Sequence, residues 1–276
     1  MELLKKYYLN IFISIISSIM FKAQINCNSY NNSDCKKACE LVNLAEQYQG
    51  YRDSQIAFDK AIELCPNFDY AYREKSVPYL KRGDFITWKK LIDKAVELNP
   101  KANLGYRGWC QYQFLRNYRA AINDIEELEK IIGTDNIGYS QNGNYNLIIV
   151  KALCYKGIGD KNKAIEIIER QLSSKNYQPM FFDFYHLGVL YYEEGKYSKA
   201  KEFLNRQIEN GDYYGEPYYY LGLINLNENN IDLAKKNTEK SLLYYSKSKF
   251  MKDKYTHIMD KIYKEDINLL KKNLEN

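Results

Sequence analysis

Residues 181–214 read FFDFYHLGVLYYEEGKYSKAKEFLNRQIENGDYY, and the 34 residues that follow, 215–248, read GEPYYYLGLINLNENNIDLAKKNTEKSLLYYSKS. Laid over one another, they align Phe184 with Tyr218, Leu187 with Leu221, Gly188 with Gly222 and Ala200 with Ala234. The same interval of 34 recurs upstream, between Pro66 and Pro100 and between Tyr72 and Tyr106. Self-similarity at a fixed period of this size marks a stacked array, whose helix pairs are each too small to bury an apolar face alone. Such arrays display a surface, and function is then to be sought in a face more than in a catalytic centre.

Working outward from that stretch, helical patterning runs almost unbroken from residue 35 to the C-terminus, with no alternating strand pattern. Pro66 and Pro100 stand where a helix must stop. The chain has 276 residues, 45% of them apolar, enough for a continuous core along a stack of repeats. Its 28 tyrosines accompany abundant Asn, Lys and Ile, residues that share AT-rich codons. Codon usage therefore accounts for them as readily as a tyrosine-lined binding face does.

The first 23 residues read as an export signal. Lys5 and Lys6 precede the mostly apolar run 9–21, LNIFISIISSIMF, and Ala23 offers a small residue for cleavage. At 13 residues the run is short against the roughly 20 that cross a bilayer. Three outcomes stay open: cleavage, retention as an anchor, and lipidation at Cys27. Residues 24–34, QINCNSYNNSD, form a polar linker. Localisation is expected to be periplasmic or secreted, with any membrane attachment through the N-terminus.

The net charge of +5 does not point to nucleic acid, because it sits at the two ends of the chain. Residues 235–276 hold 11 Lys against 6 acids, and the body from 24 to 234 carries no basic excess. The six cysteines match no zinc spacing. In an oxidising compartment disulfides are allowed. Cys35 and Cys39 open one helix and Cys65 closes its antiparallel neighbour, so the expected bridge is Cys39, or else Cys35, with Cys65. Cys110 and Cys154 fall among the small residues of first helices, where buried thiols act as small hydrophobes.

These residues together resemble the tetratricopeptide repeat (TPR) family. Its pattern is a large residue at position 4, small residues at 8 and 20, Tyr at 11, a large residue at 24, Ala at 27 and Pro at 32. Repeat 181–214 supplies Phe184, Gly188, Tyr191, Ala200 and Leu204; repeat 69–102 supplies Tyr72, Ser76, Tyr79, Trp88, Ile92, Ala95 and Pro100. Repeat 35–68 matches through Ser54, Phe58, Ala61 and Pro66. The repeat over 103–132 has a shortened turn at Arg116-Asn117-Tyr118 that moves Ala121 into the position-20 role, and a Gly/Asn-rich loop, 133–144, follows before repeat 145–178.

The resemblance implies an all-α, right-handed α-solenoid: six helix pairs (35–68, 69–102, 103–132, 145–178, 181–214, 215–248) and a capping helix over 249–276. Within that cap, Met251, Tyr255, Ile258 and Ile262 have helical spacing. It further implies a concave groove lined by the first helices. Carried over by position, the groove residues are Tyr70, Arg73, Lys81, Arg107, Gln111, Phe182, Tyr185, Tyr192, Tyr219 and Asn227. Tyr and Arg are the residues that dominate interaction hot spots. Of the family's clamp for C-terminal carboxylates, only Asn43 stands at a matching position.

No catalytic constellation is visible. The two histidines, His186 and His257, sit in no metal-binding arrangement, and there is no phosphate loop or nucleophile elbow. His186 is expected to be a partly exposed polar residue. No enzyme, cofactor or metal is expected. The function implied is a non-catalytic adaptor of the cell envelope that binds a protein or peptide in its groove. A spacer or self-associating scaffold, and a glycan-binding module built on stacked tyrosines, are the alternatives.

Overall fold

The computed structural model of the protein describes residues 25–275. The signal expected at 1–23 lies outside them. Thirteen α-helices are found among the described residues, and β pairing is limited to one isolated bridge, Tyr139 with Asn146. They form six helix–turn–helix pairs in sequence. These are α1 (Ser33–Ala45) with α2 (Arg52–Leu64), α3 (Asp69–Lys81) with α4 (Phe85–Leu98), and α5 (Pro100–Gln113) with α6 (Tyr118–Ile132). Then come α7 (Leu147–Gly157) with α8 (Lys161–Ser173), α9 (Asp183–Glu193) with α10 (Tyr197–Asn210), and α11 (Glu216–Asn227) with α12 (Ile231–Ser246); α13 (Lys264–Glu275) ends the chain. The architecture is an all-α solenoid, as the 34-residue period requires. None of the described helices is long and apolar enough to cross a membrane.

The helix boundaries follow from capping chemistry. Asn32, Asp84, Asn99, Asn117, Asn146 and Asp160 each accept a backbone N–H of the helix they precede. From the second pair on, the first helix is followed by a left-handed residue: Gly83, Gly159 and Gly195 at φ +83°, +90° and +69°, and Asn229 at +60°. In the third pair this place falls to Arg116, at φ +55°. A left-handed arginine is strained by roughly 1–2 kcal/mol.

The chain divides into two compact units, one through Pro78 and one from Tyr79 on. The division falls inside α3 at Pro78, whose ring removes one hydrogen bond from that helix. In the first unit, Ala38, Cys39, Val42, Phe58 and Ala61 form the buried seam between α1 and α2. Two disulfides fasten it, Cys35–Cys65 and Cys27–Cys39. Of the two bridges expected to Cys65, the one from Cys35 forms, and the one from Cys39 is corrected, since Cys39 pairs with Cys27. Cys35 meets Cys65 at the mouth of the pair, and Cys39, one turn deeper, is met by Cys27. The reason is that residues 25–30 are no free linker. They fold back over α1, with Asn43 Nδ2 donating to Ile25 O (3.1 Å) and Tyr30 edge-on to Phe68 (5.5 Å). With its sulfur bonded to Cys39, Cys27 has none left to carry a lipid.

In the second unit the small residues do what the repeat pattern asks. Ala121, Ala164, Ala200 and Ala234 are fully buried between paired helices. A Cβ built on Gly188 would meet Leu204 Cγ at 2.8 Å, so the close approach of α9 and α10 requires glycine there. Cys110 and Cys154 are buried thiols, and burial pushes the Cys154 thiol well above its usual pKa.

One expectation fails in the second unit. Residues 247–263 are not helical; the terminal helix starts at Lys264. Met251, Ile258 and Ile262 are buried, as their apolar character suggested, but they are carried by a loop, and Tyr255 is exposed. Asp253 breaks the helical register, because its carboxylate accepts the amides of Tyr255 and Thr256 in a local turn. The helix that does form, α13, packs Leu270 and Leu274 over Ala234 of α12 and Tyr219, Leu223 and Leu226 of α11.

Candidate functional site

The first helices of the last four pairs (α5, α7, α9 and α11) contribute side chains to one face of the second unit, and the loop 248–263 lies on it. The loop leaves α12, reaches α5, and returns. Both its ends meet Tyr245: the ring stacks on Phe250 at 5.0 Å, and the hydroxyl donates to Ile262 O at 2.6 Å. Such a loop, compact and with its ends together, is an Ω-loop.

On the outward arm, Met251 N donates to Glu216 Oε1 of α11 (2.7 Å). At the tip, Tyr255 packs on Phe114 (6.5 Å between centroids) and faces the Lys81 ammonium (5.7 Å). Gln113 Nε2 of α5 donates to Thr256 Oγ1 (2.6 Å), and the Arg116 guanidinium donates to His257 O. On the returning arm stands Asp260. Its carboxylate receives Lys156 Nζ of α7 (2.6 Å) and His186 Nδ1 of α9 (2.7 Å), and its carbonyl receives the Tyr185 hydroxyl (2.5 Å).

Electrostatics follow from this geometry. Burial by itself would raise the Asp260 carboxyl. The Lys156 ammonium and the His186 ring outweigh it and hold the carboxyl below its ordinary range, so Asp260 is a carboxylate. His186 Nδ1 therefore carries a proton and donates it, while Nε2 faces the Tyr145 hydroxyl at 3.4 Å. Burial pushes the Tyr185 phenol far up, which keeps it a donor. Glu216 behaves oppositely to Asp260. It has no cation in contact, and burial pushes it up to about 7 against hydrogen bonds from Met251 N and Tyr245.

The groove residues expected from the repeat pattern divide by place. Tyr185 and Phe182 belong to the face but are buried; Phe182 lies against Tyr145 and Tyr214 (5.8 and 5.0 Å). Tyr192 is half-buried, edge-on to Tyr220 (5.2 Å), and Tyr219 is half-buried under α13. Lys81 and Asn227 are exposed. Gln111 is buried, with its Oε1 unpartnered. Arg107 turns away from the loop. It bridges second helices, with Nη2 on Asp124 Oδ1 (2.6 Å) and Nη1 on Asp93 Oδ1 (2.9 Å). Tyr70 and Arg73 lie in the first unit, where Tyr70 donates to Glu46 (2.8 Å) and Arg73 stands 3.7 Å from Glu74.

Sequence reading missed Lys156, Gln113 and Arg116 as face residues. It also placed His186 wrongly: that residue is fully buried at the centre of the site. The usable signal was the pairing of a rare histidine with the best-matched repeat, in a chain holding two histidines in all.

The sequence profile of the tetratricopeptide repeat matches residues 145–177 and 184–210, the helix pairs that carry Lys156 and His186. No curated protein matches the sequence. Solved structures resemble it in fold. PilW, a type IV pilus biogenesis factor, is 14% identical with a TM-score of 0.62, over 84% of this chain and 97% of that one. PilF of Pseudomonas aeruginosa is 15% identical with a TM-score of 0.59, over 78% of this chain and 95% of that one. YrrB, a TPR protein with an unusual peptide-binding site, is 17% identical with a TM-score of 0.51, over 69% of this chain and 93% of that one. The helix pairs, the repeat period and these likenesses converge: residues 145–177 and 184–210 are tetratricopeptide repeats, and the chain has the all-α solenoid fold of TPR proteins.

Proposed function

We propose that the protein is a non-catalytic adaptor of the cell envelope that holds a protein or peptide partner on the face of its first helices. The observation that carries this reading is the loop 248–263, because that face accepts a non-helical stretch of chain through buried apolar, charged and hydroxyl contacts together. A surface that satisfies both the side chains and the carbonyls of one such segment has the chemistry to hold another. The envelope setting is supported by the export pattern of residues 1–23 and by the two disulfides, which persist in oxidising compartments. Two fold neighbours give the reading company: PilW is a pilus biogenesis factor, and YrrB has a peptide-binding site.

Affinity capture from the native envelope tests it, comparing wild type with a Lys81→Glu, Tyr192→Glu variant whose helicity is checked by circular dichroism. Both positions leave side-chain surface open to a partner. A partner captured by wild type and lost by the folded variant is the expected result. Equal capture by both, or none by either, would instead favour a spacer.

A further inference from the structure

The loop that fills the face is held differently from the helices beneath it. Among the described residues, one backbone–backbone hydrogen bond lies within 250–262, from Lys261 N to Ile258 O (3.3 Å). Backbone bonds tie its first residues, with Gly215 N donating to Lys249 O (3.0 Å); everything else that fixes 250–262 is side-chain contact at its ends, its tip and Asp260. Segments with so few backbone bonds come from the low-stability end of a fold. The two groups that grip the Asp260 carboxylate each keep a second partner without the loop: Lys156 has Glu193 at 2.8 Å, and His186 has the Tyr145 hydroxyl at 3.4 Å.

We propose that the loop is a displaceable plug, and that the true partner of this face presents the same chemistry in trans: a tight turn with an aspartate or glutamate flanked by aliphatic residues. The partner's carboxylate takes the place of Asp260 between Lys156 and His186. This rests on the groove reading above and specifies its ligand.

The chemistry is read from what the face grips. The bond from Lys261 N to Ile258 O closes a four-residue turn, with Asp260 in its left-handed place at φ +63°. Ile258 and Ile262, two residues to either side of Asp260, are 4% and 7% exposed. The recognised pattern is thus aliphatic–x–acid–x–aliphatic, written here as Ile258-Met259-Asp260-Lys261-Ile262. The carboxylate meets a lysine and a histidine, and the carbonyl of the same residue meets Tyr185. That two-point grip reads an acid and its backbone at once. Meanwhile the loop's tip stays accessible at Tyr255 and His257, where an incoming chain can begin to peel it off.

Arg116 adds an independent mark. The equivalent turn in the other described pairs of this unit is made by glycine or asparagine, and only here does a long side chain hold the left-handed conformation. It reaches the His257 carbonyl. Strain kept in place by a contact with the plug is the mark of a functional position. It also provides a variant that loosens the plug while easing the backbone.

The test uses the full chain with its disulfides formed, and a fluorescein-labelled peptide of residues 250–263, FMKDKYTHIMDKIY, read by fluorescence anisotropy. Arg116→Gly and Asp260→Ala each weaken the plug in cis. Both are expected to bind the peptide at least ten-fold more tightly than wild type does. A peptide carrying Asp260→Ala should bind at least ten-fold more weakly than its parent. Hydrogen exchange on wild type, which needs no variant to fold, should show the amides of 252–262 exchanging at least a hundred-fold faster than those of α9. Peptide binding that is absent, or equal across wild type and variants, overturns the proposal; so does protection of the loop equal to that of α9. If the loop proves fixed while an envelope partner is still captured through Lys81 and Tyr192, the plug fails and the adaptor reading stands. If the peptide binds but no envelope protein is captured, the plug stands and the adaptor reading falls.

Discussion

Lys156 Nζ lies 2.6 Å from Asp260 Oδ1, an ion pair that joins residues 104 apart in sequence and ties the C-terminal loop to the fourth helix pair. Both side chains are almost wholly buried, 9% and 6% exposed. Two buried charges repay their lost hydration only by each other's presence and by further hydrogen bonds. Here His186 and Glu193 supply the latter.

Lys156→Met is accordingly expected to destabilise the second unit by about 3 kcal/mol, the lower end of the cost of stranding a buried charge, because His186 still serves Asp260. Adding Asp260→Leu should restore most of the loss, since an apolar pair leaves no charge behind. Urea unfolding of the two single variants and the double variant measures the coupling. Additive losses would mean that the pair does not interact in solution.

The pH dependence has two parts of opposite sign. Asp260, held low, gives stability that is present above its unfolded pKa and is lost as pH falls through its folded value, at the acid end of the range. Glu216, pushed up to about 7 from 4.5, gives stability that is fully present below 4.5 and is lost as pH rises through 7. Its geometry agrees. The single Tyr245 proton cannot serve both Ile262 O and an ionised Glu216, whereas a protonated Glu216 can itself donate to Tyr245. Melting temperatures between pH 4.5 and 8 should therefore fall in wild type and fall less in Glu216→Gln. Asp183, also raised by burial, leaves some slope behind. Identical slopes would show that Glu216 does not carry the effect.

What could be read from sequence, and what could not, follows from the range of the interactions. Pairing and period are local, so Gly188, Ala200 and Pro100 announce the repeat. The face was harder, because repeat position does not encode what later folds onto it. Arg107 occupies a groove position by count, yet two acids on second helices draw it away. The loop misled for a sharper reason. Met251, Tyr255, Ile258 and Ile262 keep helical spacing, but the loop's placement, and the burial of Met251, Ile258 and Ile262, depend on partners such as Glu216, Tyr245 and Lys156, which no window of local sequence contains. Cys27 escaped for the same reason, since its partner is chosen by a fold-back of a segment with no periodicity.

Gly188→Ala sets two effects against each other. In a helix interior the new methyl gains about 1 kcal/mol of propensity. Its Cβ would also meet Leu204 Cγ at 2.8 Å and Leu204 N at 3.2 Å, and the backbone atom cannot rotate away. Overpacking of this kind costs about 1–3 kcal/mol. The net expectation is a loss of about 1 kcal/mol in urea unfolding. A gain would mean that α9 and α10 sit farther apart than the repeat pattern demands.

The cysteines allow a count with no mutation at all. Unfolded in denaturant without reductant, the described chain should show two reactive thiols, Cys110 and Cys154, and after reduction six. Closing a loop of separation 30, Cys35–Cys65 should stabilise the first unit by about 3–4 kcal/mol, and Cys27–Cys39, at separation 12, by about 3 kcal/mol. Reduction should therefore melt the first unit ahead of the second, which holds no disulfide and should keep its unfolding midpoint. Peptide mapping of the unreduced chain distinguishes the pairing: a fragment joining Cys39 to Cys65 would overturn it, because Cys39 would then have to leave the deep turn of α1 where Cys27 meets it.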